Sequence, residues 1–157
     1  GVPRIVFINK LDREGADPHI TIQAITQRLA CVPMVLQIAL GKYANFQGVV
    51  DLVRMEAVFF DAIGKGFATR QGAEVVRIPL DGELSVALLE ARGFSLNDIV
   101  AEAVLARESL IEIVADFDDG VMEMFLERGS GLEAVSAEQL LSAVRKETLK
   151  GDSKRVA

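Results

Sequence analysis

Asn9-Lys10-Leu11-Asp12 follows directly on the apolar run Ile5-Val6-Phe7-Ile8, and its residue types ask for a particular ligand edge. Guanine displays two adjacent donors, N1–H and N2–H₂, and an ionised carboxylate at Asp12 accepts both as a bidentate pair. Adenine has no such pair, so a partly buried Asp12 would be left unsatisfied against it, at a cost of about 1–3 kcal/mol. Asn9 can donate toward the O6/N7 side of the base and brace the loop. Lys10 can lay its methylene stem along the base plane with its ammonium in water. The same residues also suit a plain strand-to-helix turn in which Asp12 satisfies backbone donors. The tetrapeptide alone leaves both readings open.

The elements that would position this loop are a strand at Arg4–Ile8 and a helix after it. Asp17 is a good N-cap, Pro18 fits the first helical position, and Ile22, Ile25 and Leu29 recur at helical spacing, predicting a helix over Pro18–Leu29. Val32-Pro33 ends it, and Met34–Ile38 reads as a buried strand. Strand, helix and strand in that order suggest a parallel βαβ unit, with the loop at the carboxyl end of a strand, where open α/β sheets bind ligands. From Gly41 the character changes. Phe46–Asp51, Glu56–Phe60 and Glu74–Ile78 read as strands of an antiparallel sheet, with a glycine-punctuated stretch at Gly64, Gly66 and Gly72. Helices are predicted over Asp81–Leu89 and Leu96–Ala115, the latter capped by Ser95 with Asp98 and burying Ile99, Ala103, Leu110 and Val114. A short helix follows from Asp118-Asp119-Gly120 to Glu127. Ser136 and Gln139 form a capping box before a last helix at Ala137–Leu149, closed by Gly151.

The 157 residues are 50% hydrophobic, enough for a sizeable core in one or two small domains. A net charge of −6 argues against a surface built to neutralise phosphates, so no direct nucleic-acid site is expected. The lone Cys31 cannot close an intramolecular disulfide, which points to a reducing compartment. No stretch is apolar for long enough to predict a membrane span, and the first residues do not resemble a signal peptide. The chain begins on Gly1 and stops on Lys154-Arg155-Val156-Ala157, which reads like the approach to another strand; a piece of a longer protein is the expectation. His19 reads as a solvated surface residue, Cys31 as a small buried hydrophobe, and Phe59, Phe60, Phe117 and Phe125 as core. Glu102, Glu108, Glu112, Asp116, Asp118 and Asp119 form an acidic set, ordinarily a wet face.

Several motifs in fixed order carry a resemblance. Val2-Pro3-Arg4-Ile5-Val6-Phe7-Ile8-Asn9-Lys10-Leu11-Asp12-Arg13, then Gly15-Ala16-Asp17, Gln37–Gly41, Asn45–Leu52, Ala115–Asp118 and Ala143–Lys146 resemble elongation factor G, the translational GTPase family that drives translocation. The likeness covers nearly the whole chain and is weaker between about 64 and 93. It implies a fold of α/β class: a partial parallel βαβ unit of a P-loop GTPase G domain plus an inserted α+β subdomain with a short antiparallel sheet and helices. Residues 1–40 would be the later part of the G domain, 41–149 the inserted G′ subdomain, and 150–157 the return toward the G domain. Asn9, Lys10 and Asp12 match the family's guanine-binding positions, implying GTP or GDP as ligand, and Mg²⁺ in the intact protein. The implied partners are the ribosome and, through 41–149, the C-terminal domain of the large-subunit stalk protein, with the acidic set as a docking candidate.

The departures matter as much. No G-x-x-x-x-G-K-[ST] occurs, and Gly41-Lys42 and Gly64-Lys65 lack the upstream glycine a phosphate loop needs. The D-x-x-G strings at Asp12–Gly15 and Asp61–Gly64 follow no phosphate-binding unit. No catalytic residue and no metal ligand is therefore assigned in this chain, and alone it is expected not to hydrolyse GTP. A ribosome-recycling paralogue would share all these motifs. A different reading is a non-enzymatic acidic interaction module that docks a ribosomal protein, with Asn9–Asp12 vestigial. The bacterial cytoplasm and the mitochondrial matrix are both compatible, with Phe7–Arg13 leaning toward mitochondrial members.

Overall fold

A computed structural model describes residues 2–60, 75–128, 134–151 and 155–157. The glycine-punctuated stretch, the second D-x-x-G string and Glu74 lie outside the described residues.

Asp17 starts helix α1 (Pro18–Leu29) as expected, its carboxylate accepting from the His19 and Ile20 amides, and Ala30 ends it in the left-handed region. The helix buries no residue fully; Ile22 and Ile25 are half-buried and Leu29 is exposed. The strand expected at Arg4–Ile8 is not formed as a ladder. Among the described residues its one backbone bond of this kind is the Val6 amide donating to Ala157 O at 2.8 Å, and Ile5 and Phe7 are 78% and 84% exposed. A strand exists by pairing, and among the described residues one neighbour, β6, is offered.

The segment expected as one strand at Met34–Ile38 is divided. Strand β1 (Val32–Pro33) pairs in parallel with β6 (Arg155–Val156), Met34 N adds a bond to Val156 O, and the chain then turns away. Gln37 and Ile38 belong instead to β2 (Gln37–Leu40), antiparallel to β3 (Gly48–Asp51). The parallel unit therefore closes through the C-terminal β6, which lies between β1 and the Arg4–Ile8 segment. Strands β4 (Glu56–Phe60) and β5 (Val75–Pro79) complete a four-stranded meander in the order β2-β3-β4-β5. A 3₁₀ turn at Tyr43–Asn45, not expected from the sequence, links β2 to β3. Two glycines make this packing possible. Gly41 has φ +82°, and a Cβ there would fall on the Asn45 carbonyl; a Cβ at Gly48 would fall on Val58 O in the neighbouring strand and 3.0 Å from Phe59 Cα.

Helices α2 (Gly82–Glu90), α3 (Leu96–Ala115), α4 (Asp119–Arg128) and α5 (Ala137–Lys150) complete the order. Ser95 caps α3, and the Ser136–Gln139 capping box starts α5 with both reciprocal bonds present; Gly151 closes it in the left-handed region. One core joins the inner sheet residues Val50, Ala57, Phe59 and Ile78 to Leu89 of α2, the Ile99–Val114 stripe of α3 and Leu140, Ala143 and Val144 of α5. Phe59 is buried and meets Phe94 with centroids 5.8 Å apart, whereas Phe60, Phe117 and Phe125 are half-buried. A small parallel pair beside an antiparallel sheet with helices is the α/β architecture that the sequence implied. No helix among the described residues is long and apolar enough to cross a membrane.

Candidate nucleotide-base site

The Asn9–Asp12 loop leaves the Arg4–Ile8 segment at half-buried Ile8 and is shaped by its own polar groups. Asn9 Oδ1 accepts from the Lys10 amide at 2.7 Å, and Lys10 has φ +64°, a left-handed conformation that costs a non-glycine residue on the order of 1 kcal/mol or more. The Arg13 amide donates to Lys10 O at 3.2 Å and the Ala16 amide to Arg13 O at 3.1 Å, so two successive turns lead to the Asp17 cap. Gly15, at φ +80°, lets the second turn reverse. The strained lysine is a feature that the sequence does not announce.

An open hollow of about 350 Å³ lies against this loop, lined in part by Asn9, Lys10, Arg13, Gly15 and Asp17. Asn9 and Lys10 share it; Asp12 does not line it. Asp12 is exposed and makes no hydrogen bond or ion pair among the described residues. Its two oxygens are free for an incoming pair of donors. An exposed carboxylate left unmatched by the wrong base is re-solvated by water, so any base discrimination by a carboxylate in this setting would fall at the low end of the range of about 1–3 kcal/mol. Arg13 also lines the hollow, and His19 is exposed on the first turn of α1, as expected.

Among the described residues three charged side chains are buried, and sequence reasoning passed over their burial: Asp51 at the end of β3, which accepts from the Val53 and Arg54 amides, Arg107 and Glu147. Arg107 is 3% exposed; its guanidinium donates to Leu52 O, to Val53 O at 2.7 Å and to Val135 O at 2.7 Å, while Nε has no partner. Burial pushes this group below its ordinary value and the Asp51 carboxylate pulls it back. Glu147 is 4% exposed, with Lys150 Nζ on one oxygen at 2.7 Å and Arg155 on the other at 2.9 Å. Burial alone would raise its carboxyl, but the hydrogen bonds and charges of Lys150 and Arg155 outweigh that and hold it below the usual range. A signal for Arg107 and Glu147 was present. Arg107 stands at helical spacing from Ala103, Leu110 and Ile111, and Glu147 from Leu140, Ala143 and Val144, so each charge sits on an apolar stripe.

The acidic set divides. Asp118 is half-buried, accepting from the Val121 amide at 3.2 Å and pairing with Lys146 at 3.6 Å; Glu108 is half-buried; Glu102, Glu112, Asp116 and Asp119 are exposed. Cys31 is buried as a free thiol. No three His, Cys, Asp or Glu side chains converge as a metal set among the described residues, so these offer no holder for the Mg²⁺ implied by the resemblance.

With this geometry in place, the likeness to known proteins becomes specific. Elongation factor G 2 of Geobacter metallireducens is 38% identical over 148 residues, covering 94% of this chain, and elongation factor G 2 of Syntrophus aciditrophicus is 38% identical over 149 residues, covering 95%. This chain matches a segment of elongation factor G. It spans 18% of the length of either relative, and no protein-family model matches it. A crystal structure of a protein from Thermus thermophilus superposes over 100% of this chain and 19% of its own, with a TM-score of 0.61 at 20% identity, which establishes shared fold. The likeness to elongation factor G thus extends over more than nine-tenths of the chain rather than resting on the tetrapeptide alone.

Proposed function

We propose that this chain is part of a translational GTPase of the elongation factor G type, in which Asn9, Lys10 and Asp12 select the guanine of GTP or GDP. The observation that carries the reading is the Asn9–Asp12 turn itself. Asn9 and Lys10 line one open hollow, Lys10 is held left-handed by the Asn9 side chain, and the Asp12 carboxylate is left with both oxygens free. The similarity to elongation factor G along more than nine-tenths of the chain supports it independently.

In this reading residues 1–40 carry the base loop, residues 41–149 form an inserted subdomain whose sheet already takes in β2, and 150–157 return toward the Arg4–Ile8 segment, which Ala157 meets at Val6. Phosphates and Mg²⁺ would be held by parts of the protein other than the described residues, and no catalytic side chain is assigned here. The partner is the ribosome of a bacterium or organelle, in translocation or, for a paralogue, in recycling. Exposed Glu102, Glu112 and Asp116 on and just beyond α3 suit a basic surface such as the stalk protein's C-terminal domain.

Asp12→Asn in the full-length protein tests the base assignment. Asn presents one acceptor and one donor, which fits xanthine and mismatches guanine. GTP affinity should fall and XTP affinity rise; equal affinities in variant and parent would remove Asp12 from the site.

A further inference from the structure

Among the described residues strand β6 has two paired residues, and it carries the backbone that anchors the base loop. Val32 pairs with Arg155 and Pro33 with Val156 on one side, while on the other the Val6 amide reaches Ala157 O at 2.8 Å. Val6 lies three positions before Asn9. A ladder this short specifies its own register weakly, and a slip by one residue would turn every side chain to the opposite face. Arg155 is held from outside the sheet: its guanidinium bonds the buried Glu147 of α5 at 2.9 Å and lies 4.6 Å from the centre of the Phe117 ring, just beyond α3. A slipped β6 would carry that guanidinium away from Glu147 and leave a buried carboxylate with Lys150 alone.

We propose that the Glu147–Arg155 pair is a positioning element for the base loop. It locks the register of β6, thereby fixes where Ala157 O meets Val6, and so sets where the Asn9–Asp12 turn stands. The path runs from the helical layer, through one ion pair and one backbone hydrogen bond, to the turn that meets the ligand. Arg155 and Glu147 touch no nucleotide in this account; they act through the strand. The proposal rests on the base-loop reading above.

The test compares Arg155→Met and Arg155→Lys with the unaltered full-length protein, reading amide exchange at Val6 against Leu110 and Ile111 in α3, and GDP affinity by calorimetry. Arg155→Met should speed Val6 exchange about tenfold with α3 protection kept, and weaken GDP about three- to tenfold; Arg155→Lys, which keeps the charge, should recover most of both. The proposal is overturned if Val6 exchange is unchanged, if Val6 already exchanges freely in the parent, or if α3 loses protection in parallel. It is equally overturned if Val6 loosens while GDP affinity stays constant. Asp12→Asn runs beside these variants: if it leaves GDP affinity unaltered, the base assignment has failed, whatever Arg155 does.

Discussion

Replacing Arg107 with Met keeps an unbranched apolar stem and the helix propensity of the residue, and removes the guanidinium. Three buried carbonyls, Leu52 O, Val53 O and Val135 O, would lose their donor. Each orphaned acceptor costs about 1–3 kcal/mol. Against that sum stands the recovered cost of burying a cation, several kcal/mol in effect, and an Nε that already lacks a partner. Asp51 stays satisfied through the Val53 and Arg54 amides and the Arg54 side chain, so no second charge is stranded. The net is a destabilisation of about 2–4 kcal/mol, a large share of the roughly 5–15 kcal/mol expected of a domain. With a urea slope of about 2 kcal/mol/M, the midpoint should fall by about 1–2 M at unchanged slope. Helix content at zero denaturant should be retained, because the apolar stripe of α3 is untouched. A midpoint within about 0.3 M of the parent would refute the reasoning, since the three carbonyls would then be costless without their donor.

Gly48→Ala should destabilise by about 1–3 kcal/mol in the same urea assay, because the new Cβ falls on Val58 O of the adjacent strand and β3 and β4 must part. Ser136→Ala removes half of the α5 capping box and should lower stability by about 1 kcal/mol, with Ser136→Thr close to neutral. Glu147 binds its proton less tightly folded than unfolded, so its contribution is present above the ordinary value of 4.5 and is lost as pH falls through the lower folded value. Melting temperature should therefore drop between about pH 5 and 3 with a component that Glu147→Gln abolishes; an identical acid profile in the variant would contradict the pairing. Gly41→Ala combines a strained φ with a Cβ directed onto the Asn45 carbonyl, and should disrupt the Leu40–Gln47 turn more than Gly48→Ala disrupts its strand pair.

What was legible in the sequence was what local rules decide. The limits of α1 and α3 follow from Asp17, Pro18 and Ser95, and α5 from its capping box, because caps act within a few residues of the element they start. The three strands before and after the glycine-rich stretch were legible for the same reason: β-branched and aromatic runs broken by turns. The run from Met34 to Leu40 was not, because an apolar segment does not say which sheet will claim it; pairing with β6 and with β3 is settled by residues far along the chain. The Arg4–Ile8 segment failed for the converse reason, since strand propensity without enough neighbours yields no ladder. In the candidate site, residue types were legible and accessibility was not. Nothing in Asn9-Lys10-Leu11-Asp12 tells that two of its polar side chains face one hollow while the carboxylate stands apart in solvent.

Arg107 and Glu147 divide the work of specification with the apolar core. Residues such as Phe59, Leu110 and Leu140 reward burial of area, and area is indifferent to a modest slide of one layer over another. Arg107 is not indifferent: its fork meets the turn after β3 and the segment before α5 at once, so those two stretches can stand in only one relation to α3. Glu147 does the same for α5 and β6 through Arg155, while Lys150 of its own helix holds the other oxygen. Arg107 therefore sits where segments distant in sequence must be brought into one relation, and Glu147 where α5 must be set against the strand that follows it; fixing such a relation is a use for which a buried ionic group is worth its desolvation. On that argument, an apolar replacement at Arg107 compensated by filling the vacated volume could recover stability without recovering the turn's position. The backbone amides of Val53 and Arg54 would then exchange faster in a protein whose melting temperature is unchanged, and equal exchange would show that packing alone fixes the turn.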